Sequence, residues 1–263
     1  MTALRRGRIR RKTLVGAVCA LAVTGFGLTG CSSEDPDAGT NGVGKLTPDK
    51  IQVKTRAAAD AAAAVRLSGN VTAGGTTYRL DMRLKADGGS GSVTAEGATF
   101  QLLRIGEQLF LMADAQFWTD GGKSGDEGSG GEGAGGDESG SDTAAADKLD
   151  GKYVKVPEGD PSYKRFSGFT DKDVLLDGLL TLHGSLSTDG RHEAAGVRTI
   201  RITGDKGAGG SLDVSLEGTP YPLRLGRAGD AGTLTFSDWG KDFALKEPAK
   251  DDTVDYGQEL PTS

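Results

Sequence analysis

The chain is poor in the residues that build metal centres and disulfide frameworks, with two Cys and two His among 263 residues. So few ligands exclude a multi-ligand zinc ribbon, and the sequence predicts no metal and no cofactor. Positive charge is not in excess either, because 31 Lys and Arg stand against 37 Asp and Glu, which argues against a nucleic-acid partner. Glycine is abundant, at 43 residues without a collagen-like period, so it must lie in loops or low-complexity segments.

The first 30 residues have the organisation of an export signal. Residues 1–12 hold six basic residues and no acid, and residues 14–28 form an apolar run without a charge. That run is shorter than the roughly 20 residues that span a bilayer. Leu28-Thr29-Gly30-Cys31 then resembles the bacterial lipobox. The resemblance implies cleavage between Gly30 and Cys31 and a diacylglyceryl group on Cys31; the alternative is a short hydrophobic helix with an incidental Cys.

Cleavage at this position fixes the predicted location of the mature protein. Cys19 is lost with the signal peptide and Cys31 carries lipid, so the mature chain forms no internal disulfide. Removing the six basic residues changes the formal charge from −6 to −12. We therefore expect an acidic, lipid-anchored protein on the extracytoplasmic face of the cell membrane. Arg10-Arg11 is compatible with twin-arginine export as well as with the general secretory route.

Composition divides the chain into segments. After the signal peptide (1–30), residues 31–46 are predicted to be the lipidated Cys and a flexible tether, and residues 251–263 an irregular tail. Between them, 47–250 is interpreted as one domain interrupted by a disordered, Gly- and Asp-rich insertion at 121–147, because strand-like sequence lies on both sides of it. The alternative is a boundary between two smaller domains.

Within 47–250, short segments alternate apolar and polar residues. Tyr78, Leu80, Met82 and Leu84 alternate with charged side chains, which indicates a strand with one buried face. Further segments of this kind are 64–73, 91–97, 99–105, 107–113, 153–156, 196–204, 212–216, 221–225 and 234–236. Many short strands at this spacing predict an antiparallel sandwich or barrel.

Two helices are predicted beside these strands. The first has Thr47 as N-cap and Pro48 in the first helical position and continues to about Val65, with Ile51, Thr55, Ala58, Ala62 and Val65 on one face. The second begins at Thr170, with Asp173 spaced as in a capping box, and carries an apolar stripe. That stripe consists of Leu175, Leu176, Leu179, Leu180 and His183. Alanine on the first helix allows close packing against a sheet or leaves space for a ligand.

The residue patterns of an enzyme are missing from the sequence. His183 is expected to be a core or boundary residue, and His192 lies in a solvated turn. Residues 128–133 match GxGxxG, but no strand precedes them and acids surround them, so phosphate would be repelled. The acids between 126 and 142 fit no EF-hand spacing. The sequence therefore predicts a protein that is not an enzyme and has no catalytic residues; a hydrolase is the weakest alternative.

The order of elements resembles LolA-like bacterial lipoproteins, and among them the actinobacterial lipid-carrying lipoproteins of the LppX/LprG type. The residues that carry the resemblance are AVRLSGNVTAGGTTYRLDMRL at 64–84, IGEQLFLMADAQFWTD at 105–120, GKYVKVP at 151–157 and TPYPLRLGRAGDAGTLTFSDWGKDFALKEP at 219–248. The resemblance implies an α+β fold of a single domain, in which a curved antiparallel half-barrel sheet wraps a few helices. It also implies acyl chains between the sheet and the helices.

This interpretation names a set of small and apolar residues as candidates for lining a ligand space. They are Ala58, Ala62, Tyr78, Leu80, Met82, Leu84, Leu175, Leu179, Leu212 and Val214. The implied ligand is an acyl lipid or glycolipid, bound because apolar walls replace water. The same residues also fit a filled core, in which case the protein is an envelope sensor or protein-binding module whose partner the sequence does not name.

Overall fold

Residues 37–119 and 146–255 are described by a computed structural model of the chain, and they belong to one unit that begins at Asp37. The helices are α1 (Pro48–Asp60), α2 (Ala115–Thr119), α3 (Pro161–Thr170) and α4 (Lys172–Leu179). The strands are β1 (Ala64–Ala73), β2 (Thr76–Lys85), β3 (Gly88–Ala95), β4 (Ala98–Ile105), β5 (Gln108–Ala113), β6 (Tyr153–Val156), β7 (Leu186–Ala194), β8 (Val197–Gly204), β9 (Ser211–Ser215), β10 (Pro222–Gly226), β11 (Gly232–Ser237) and β12 (Thr253–Asp255).

All of these strands belong to one open sheet. Its order is β12-β6-β5-β4-β3-β2-β1-β11-β10-β9-β8-β7, and every neighbouring pair is antiparallel except β12 and β6. The predicted α+β fold, with a large curved antiparallel sheet and few helices, is confirmed. The sheet does not close, because its two edges are β12 and β7.

Side chains alternate between two faces of the sheet. The inner face, which packs on the helices, carries Leu80, Met82 and Leu84 of β2, and the outer face carries Asp81 and Arg83 of the same strand. The strand ends define two ends of the sheet. We call the end where β1 begins the Ala64 end, and the end where β1 and β2 are joined by Gly74-Gly75 the Gly74 end.

A glycine in the middle of β1 allows the neighbouring strand β11 to pack closely against β1. Gly69 has φ of +139°, and a Cβ atom at this position would collide with the backbone carbonyl of Thr233 in β11. Any side chain would therefore separate β1 from β11 and interrupt the sheet at its middle.

The first predicted helix is confirmed in position and corrected in extent. It begins at Pro48 as expected, but it ends at Asp60, because the chain then turns into β1 at Ala64. Its buried face consists of Ile51, Thr55 and Ala59. Ala58, which was predicted to belong to this face, is half-buried.

The second predicted helix is two helices. Thr170 is the last residue of α3 and does not cap α4. The N-cap of α4 is Asp171, whose carboxylate accepts hydrogen bonds from the backbone N–H groups of Asp173 (3.1 Å) and Val174 (3.0 Å). His183 follows α4 and is exposed, so its predicted place on the apolar face is wrong.

The structural unit extends further toward the N-terminus than the predicted domain. Residues 37–46, assigned from composition to a tether, contact the sheet at the Ala64 end. The backbone N–H of Asn41 donates to the carbonyl of Leu216 (2.8 Å), and Val43 is buried in the core. These contacts satisfy the backbone of a segment that has little apolar surface of its own.

The C-terminal region is likewise more structured than an irregular tail. Residues 238–252 connect β11, in the middle of the sheet, to β12 at its edge, and the backbone N–H of Gly240 donates to the carbonyl of Ala64 on the way (2.8 Å). Leu245 lies against the outer side of Gly88. Of the predicted insertion, only 146 and 147 are described; Ala146 and Leu149, in the helical residues 146–149, are buried.

Candidate functional site

The candidate site is the apolar layer between the inner face of the sheet and helices α1, α3 and α4. The structure brings most of the predicted lining residues into this layer. Leu80, Met82 and Leu84 lie on β2, and Leu212 and Val214 lie on β9. All five are at most 3% exposed and belong to one core cluster. The predicted residues are thus neighbours in a packed layer.

The remaining predicted residues lie at the margins of the layer. Leu179 of α4 is buried in it, and Leu175 is half-buried and packs against it. Ala62, between α1 and β1, is buried. Tyr78 of β2 is half-buried near the Gly74 end, where its ring lies 6.2 Å from that of Phe169 in α3.

An aromatic cluster fills the layer at the Gly74 end, and sequence reasoning missed it. Phe100 of β4 lies 5.5 Å from both Phe117 of α2 and Phe166 of α3, measured between ring centroids. Trp118 contacts Phe117 edge-to-face, and its buried indole N–H has no hydrogen-bond partner among the residues that the structure describes. Alternation along β4 could have predicted Phe100, but α3 was not predicted.

At the Ala64 end, the rim of the layer is polar. Arg104 of β4 points to the inner side, and its guanidinium donates to the carbonyls of Gly106 (2.9 Å) and Thr170 (3.1 Å) and to the hydroxyl of Thr170 (3.2 Å). Its Nη2 also lies 3.5 Å from the carboxylate of Asp171. This one side chain therefore attaches the junction of α3 and α4 to the sheet.

A buried lysine makes a second attachment of the same kind. The ammonium of Lys172, at the start of α4, donates to the carbonyl of Asp60 at the end of α1 (3.1 Å) and lies 2.6 Å from the carboxylate of Asp173. The carbonyls at a helix C-terminus have no partner within the helix, so a cation there is stabilising. Lys172 thus joins α4 to α1.

A tyrosine attaches α3 to the edge of the sheet. The hydroxyl of Tyr163 donates to the carbonyl of Glu107 in the turn between β4 and β5 (2.6 Å). Burial raises the pKa of Tyr163, and the nearby carboxylate of Glu158 adds to the effect. The phenol therefore stays protonated and able to donate at physiological pH.

Two open clefts among the described residues have a different character from the inner layer. One of about 400 Å³ lies on the outer face, and another of about 440 Å³ beside it is bordered by Leu80 together with polar residues. The first is lined by Arg66, Asp81, Arg83, Ser90, Gly91, Ser92 and Gln101. These clefts suit water and polar groups; the apolar surface is on the other face.

Residues considered for chemistry do not assemble in the described part of the chain. The Nε2 atom of His192 is hydrogen-bonded to the backbone carbonyl oxygen of Asp189 (2.7 Å), and both residues lie on edge strand β7. Within residues 37–119 and 146–255, no three His, Cys, Asp or Glu side chains lie close enough together to hold a metal. The GxGxxG match at 128–133, the acids between 126 and 142, and the lipobox with Gly30 and Cys31 lie outside the described residues.

In the described ranges, no helix has the length and apolar character required to cross a bilayer.

Comparison with known proteins finds similarity among solved structures. LprF from Mycobacterium bovis has a TM-score of 0.49 and 14% identity, over 78% of this chain and 100% of that one. The lipoprotein LppX of Mycobacterium tuberculosis has a TM-score of 0.41 and 14% identity, over 75% of this chain and 99% of that one. An uncharacterized conserved protein from Thermus thermophilus has a TM-score of 0.37 and 10% identity, over 79% of this chain and 98% of that one.

The resemblance drawn from the sequence named the LppX/LprG type, and the lipoprotein LppX is among these structures, as a distant likeness in fold. No known family profile matches the chain. No curated protein sequence matches it either.

Proposed function

We propose that the protein is a membrane-anchored lipoprotein of the cell envelope that binds lipids or lipidated molecules between the inner face of its sheet and its helices. The observation that carries the proposal is the difference between the two sides of this layer: one side is a continuous sheet and the other consists of separate short helices. A 12-stranded sheet presents an apolar inner face, and its cover consists of separate helices of 13, 10 and 8 residues. Such a cover can move away while the sheet stays intact.

The attachments of the cover support this mode of opening. Arg104 holds the α3–α4 junction to the sheet, and Lys172 holds α4 to α1. Water can replace these polar contacts at the rim, whereas the hydrogen bonds between strands remain. Acyl chains entering the layer would then replace water on apolar surface, which is worth about 25 cal/mol per Å².

Anchoring completes the proposed role. A diacylglyceryl group on Cys31 would hold the protein at the extracytoplasmic face of the membrane, since each buried methylene contributes about 0.8 kcal/mol. The ligand class is an acyl lipid or glycolipid. We assign no catalytic step to the protein, because binding in an apolar layer requires none.

One observation favours a second function. Apart from the half-buried Tyr78, the residues proposed to line the ligand space on β2 and β9 are at most 3% exposed, and they pack on one another. A filled layer of this kind suits an envelope sensor or protein-binding module that uses its outer surface and never opens.

Native mass spectrometry of the mature chain, secreted from residue 32 onward without Cys31, separates the two functions. We expect a bound species with the mass of an acyl lipid, released when the protein unfolds. A protein that is empty, and that takes up no added phospholipid or glycolipid, would contradict lipid binding and leave the binding module as the better function.

A matched pair of variants tests the place of binding. Arg104→Ala removes the attachment of the α3–α4 junction, so we expect faster uptake of a fluorescent fatty acid. Arg83→Ala, on the outer face, is the control and should leave the uptake rate unchanged. Equal rates for the two variants would place the ligand elsewhere.

A further inference from the structure

The first described residues, which begin at Asp37, lie at the Ala64 end of the sheet. A carboxylate oxygen of Asp37 lies 2.5 Å from the guanidinium of Arg191 at the end of β7. The side-chain amide of Asn41 donates to the carbonyl of Gly218 (3.1 Å), in the turn that joins β9 to β10. Residues 37–41 therefore lie beside the turn 217–221.

The length of chain before Asp37 limits how far this end can stand from a lipid anchor. Cys31 precedes Asp37 by six positions. A fully extended chain spans at most about 3.5 Å per residue, so the two residues are at most about 20 Å apart. If Cys31 carries lipid, as proposed above, the Ala64 end lies close to the membrane surface. A tether that reached to residue 46 would have allowed about 50 Å between the anchor and the domain.

An aromatic pair lies at the same end. The rings of Tyr221 and Trp239 are stacked, with centroids 4.8 Å apart and planes 3° from parallel, and both residues are half-buried. The indole N–H of Trp239 donates to the carbonyl of Pro222 (3.0 Å), which fixes the ring. Tyr and Trp, with an apolar body and a polar group, are the residues that favour the membrane–water interface.

The two carboxylates that flank the aromatic pair form ion pairs with nearby cations. Glu217 pairs with Arg198 (3.0 Å), and Asp238 pairs with Lys241 (2.8 Å). The hydrogen bonds from these cations lower the pKa of both carboxylates, so the pairs persist at neutral pH. Thr219 and Pro220, between Glu217 and Tyr221, carry no charge. The two carboxylates that flank the stack, those of Glu217 and Asp238, are therefore each paired with a cation where the stack would meet an anionic membrane surface.

We infer that the Tyr221–Trp239 stack is the surface with which the protein contacts the bilayer that holds its anchor. The inference rests on the proposed lipidation of Cys31. The occupant of the surface is the headgroup layer of the membrane. In this orientation the rim with Arg104 and Lys172, which is also at the Ala64 end, faces the source of lipid.

The two tryptophans of the chain provide the test, because they lie at opposite ends of the sheet. Trp239 follows β11 at the Ala64 end, and Trp118 lies in α2 at the Gly74 end. The full chain, purified from membranes as the variants Trp118→Phe and Trp239→Phe, is reconstituted into vesicles of anionic phospholipid with a nitroxide quencher near the headgroup. We expect the emission of Trp239 to be quenched and that of Trp118 to be unchanged.

A flotation measurement separates this inference from the anchoring on which it rests. Protein that fails to float with the vesicles contradicts the anchor, and the orientation with it. Protein that floats but shows no quenching of Trp239, or equal quenching of the two tryptophans, overturns the orientation alone. Tyr221→Ser should reduce the quenching of Trp239, whereas Tyr153→Ser, at the Gly74 end, should not.

Discussion

The two faces of the sheet differ in burial and polarity, and the difference is visible between adjacent residues of one strand. On β2, Met82 is fully buried among apolar side chains, while Asp81 and Arg83 on either side of it are exposed. The inner face is thus held by the exclusion of water, and the outer face by hydrogen bonds and ion pairs. Because the first effect grows with buried apolar area and the second is weakened by water, the same strand should tolerate substitution very differently on its two sides.

The outer face is itself divided into two regions by burial. Arg66 and Asp81 join β1 to β2 through two hydrogen bonds, and Arg201 and Asp213 join β8 to β9 in the same way. The side chain of Asp81 is 48% exposed and that of Asp213 is 3% exposed. Because the two ion pairs have the same geometry, comparing them measures how burial changes the contribution of such a pair to stability.

The largest effect is expected on the inner face. Met82→Ala removes a buried side chain that its neighbours cannot replace, and we expect the free energy of unfolding to fall by about 2–5 kcal/mol. Denaturant unfolding followed by circular dichroism measures the change. Arg83→Ala, one residue away on the outer face, is the control and should have little effect. A similar loss in both variants would contradict the division into two faces.

An intermediate effect is expected at the buried ion pair. Asp213→Asn keeps the shape of the side chain but removes the buried charge that pairs with the half-buried Arg201, whose guanidinium then has only the exposed carboxylate of Asp189, 3.9 Å away. Leaving such a group unsatisfied costs about 1–3 kcal/mol. Thermal unfolding of the variant should show a lower Tm than that of the corresponding exposed variant, Asp81→Asn. Equal Tm values would mean that burial does not decide the strength of these pairs.

The division between the faces could be predicted from the sequence because it depends on local periodicity. The alternation of Tyr78 to Leu84 with charged residues identified β2 and its inner side correctly. Strand β7 (LSTDGRHEA) was missed, because it is an edge strand that buries little and carries no apolar alternation. The helix α3 was also missed, although Asp160, whose carboxylate accepts from the backbone N–H of Ser162 (2.7 Å), and Pro161 are a typical helix start.

The candidate site was predictable only in its apolar part. Leu80, Met82, Leu212 and Val214 follow from alternation, but periodicity does not determine whether the space between them is filled. Arg104 could not be identified, because its partners other than Gly106 belong to Thr170 and Asp171, which come near it only after α3 has folded onto the sheet. The same holds for Lys172, whose partner is the carbonyl of Asp60, distant in sequence.

The smallest effect is expected at the exposed ion pair, and it should depend on pH. The hydrogen bonds from Arg66 lower the pKa of Asp81 below its ordinary value of 3.8. The pair therefore stabilises the folded state above that value, and the contribution disappears as the pH falls through the lower pKa of the folded protein. Asp81→Asn should cost less than about 1 kcal/mol at neutral pH, because the pair is exposed to water.

The difference between Asp81→Asn and the unsubstituted protein should shrink toward zero as the pH is lowered below the pKa of Asp81, since the carboxylate is then uncharged in both folded and unfolded chains. Urea unfolding at a series of pH values between neutral and acidic measures this. High salt should reduce the difference at neutral pH, because screening weakens exposed pairs. A difference that persists unchanged in acid would show that Asp81 acts through the shape of its side chain and not through its charge.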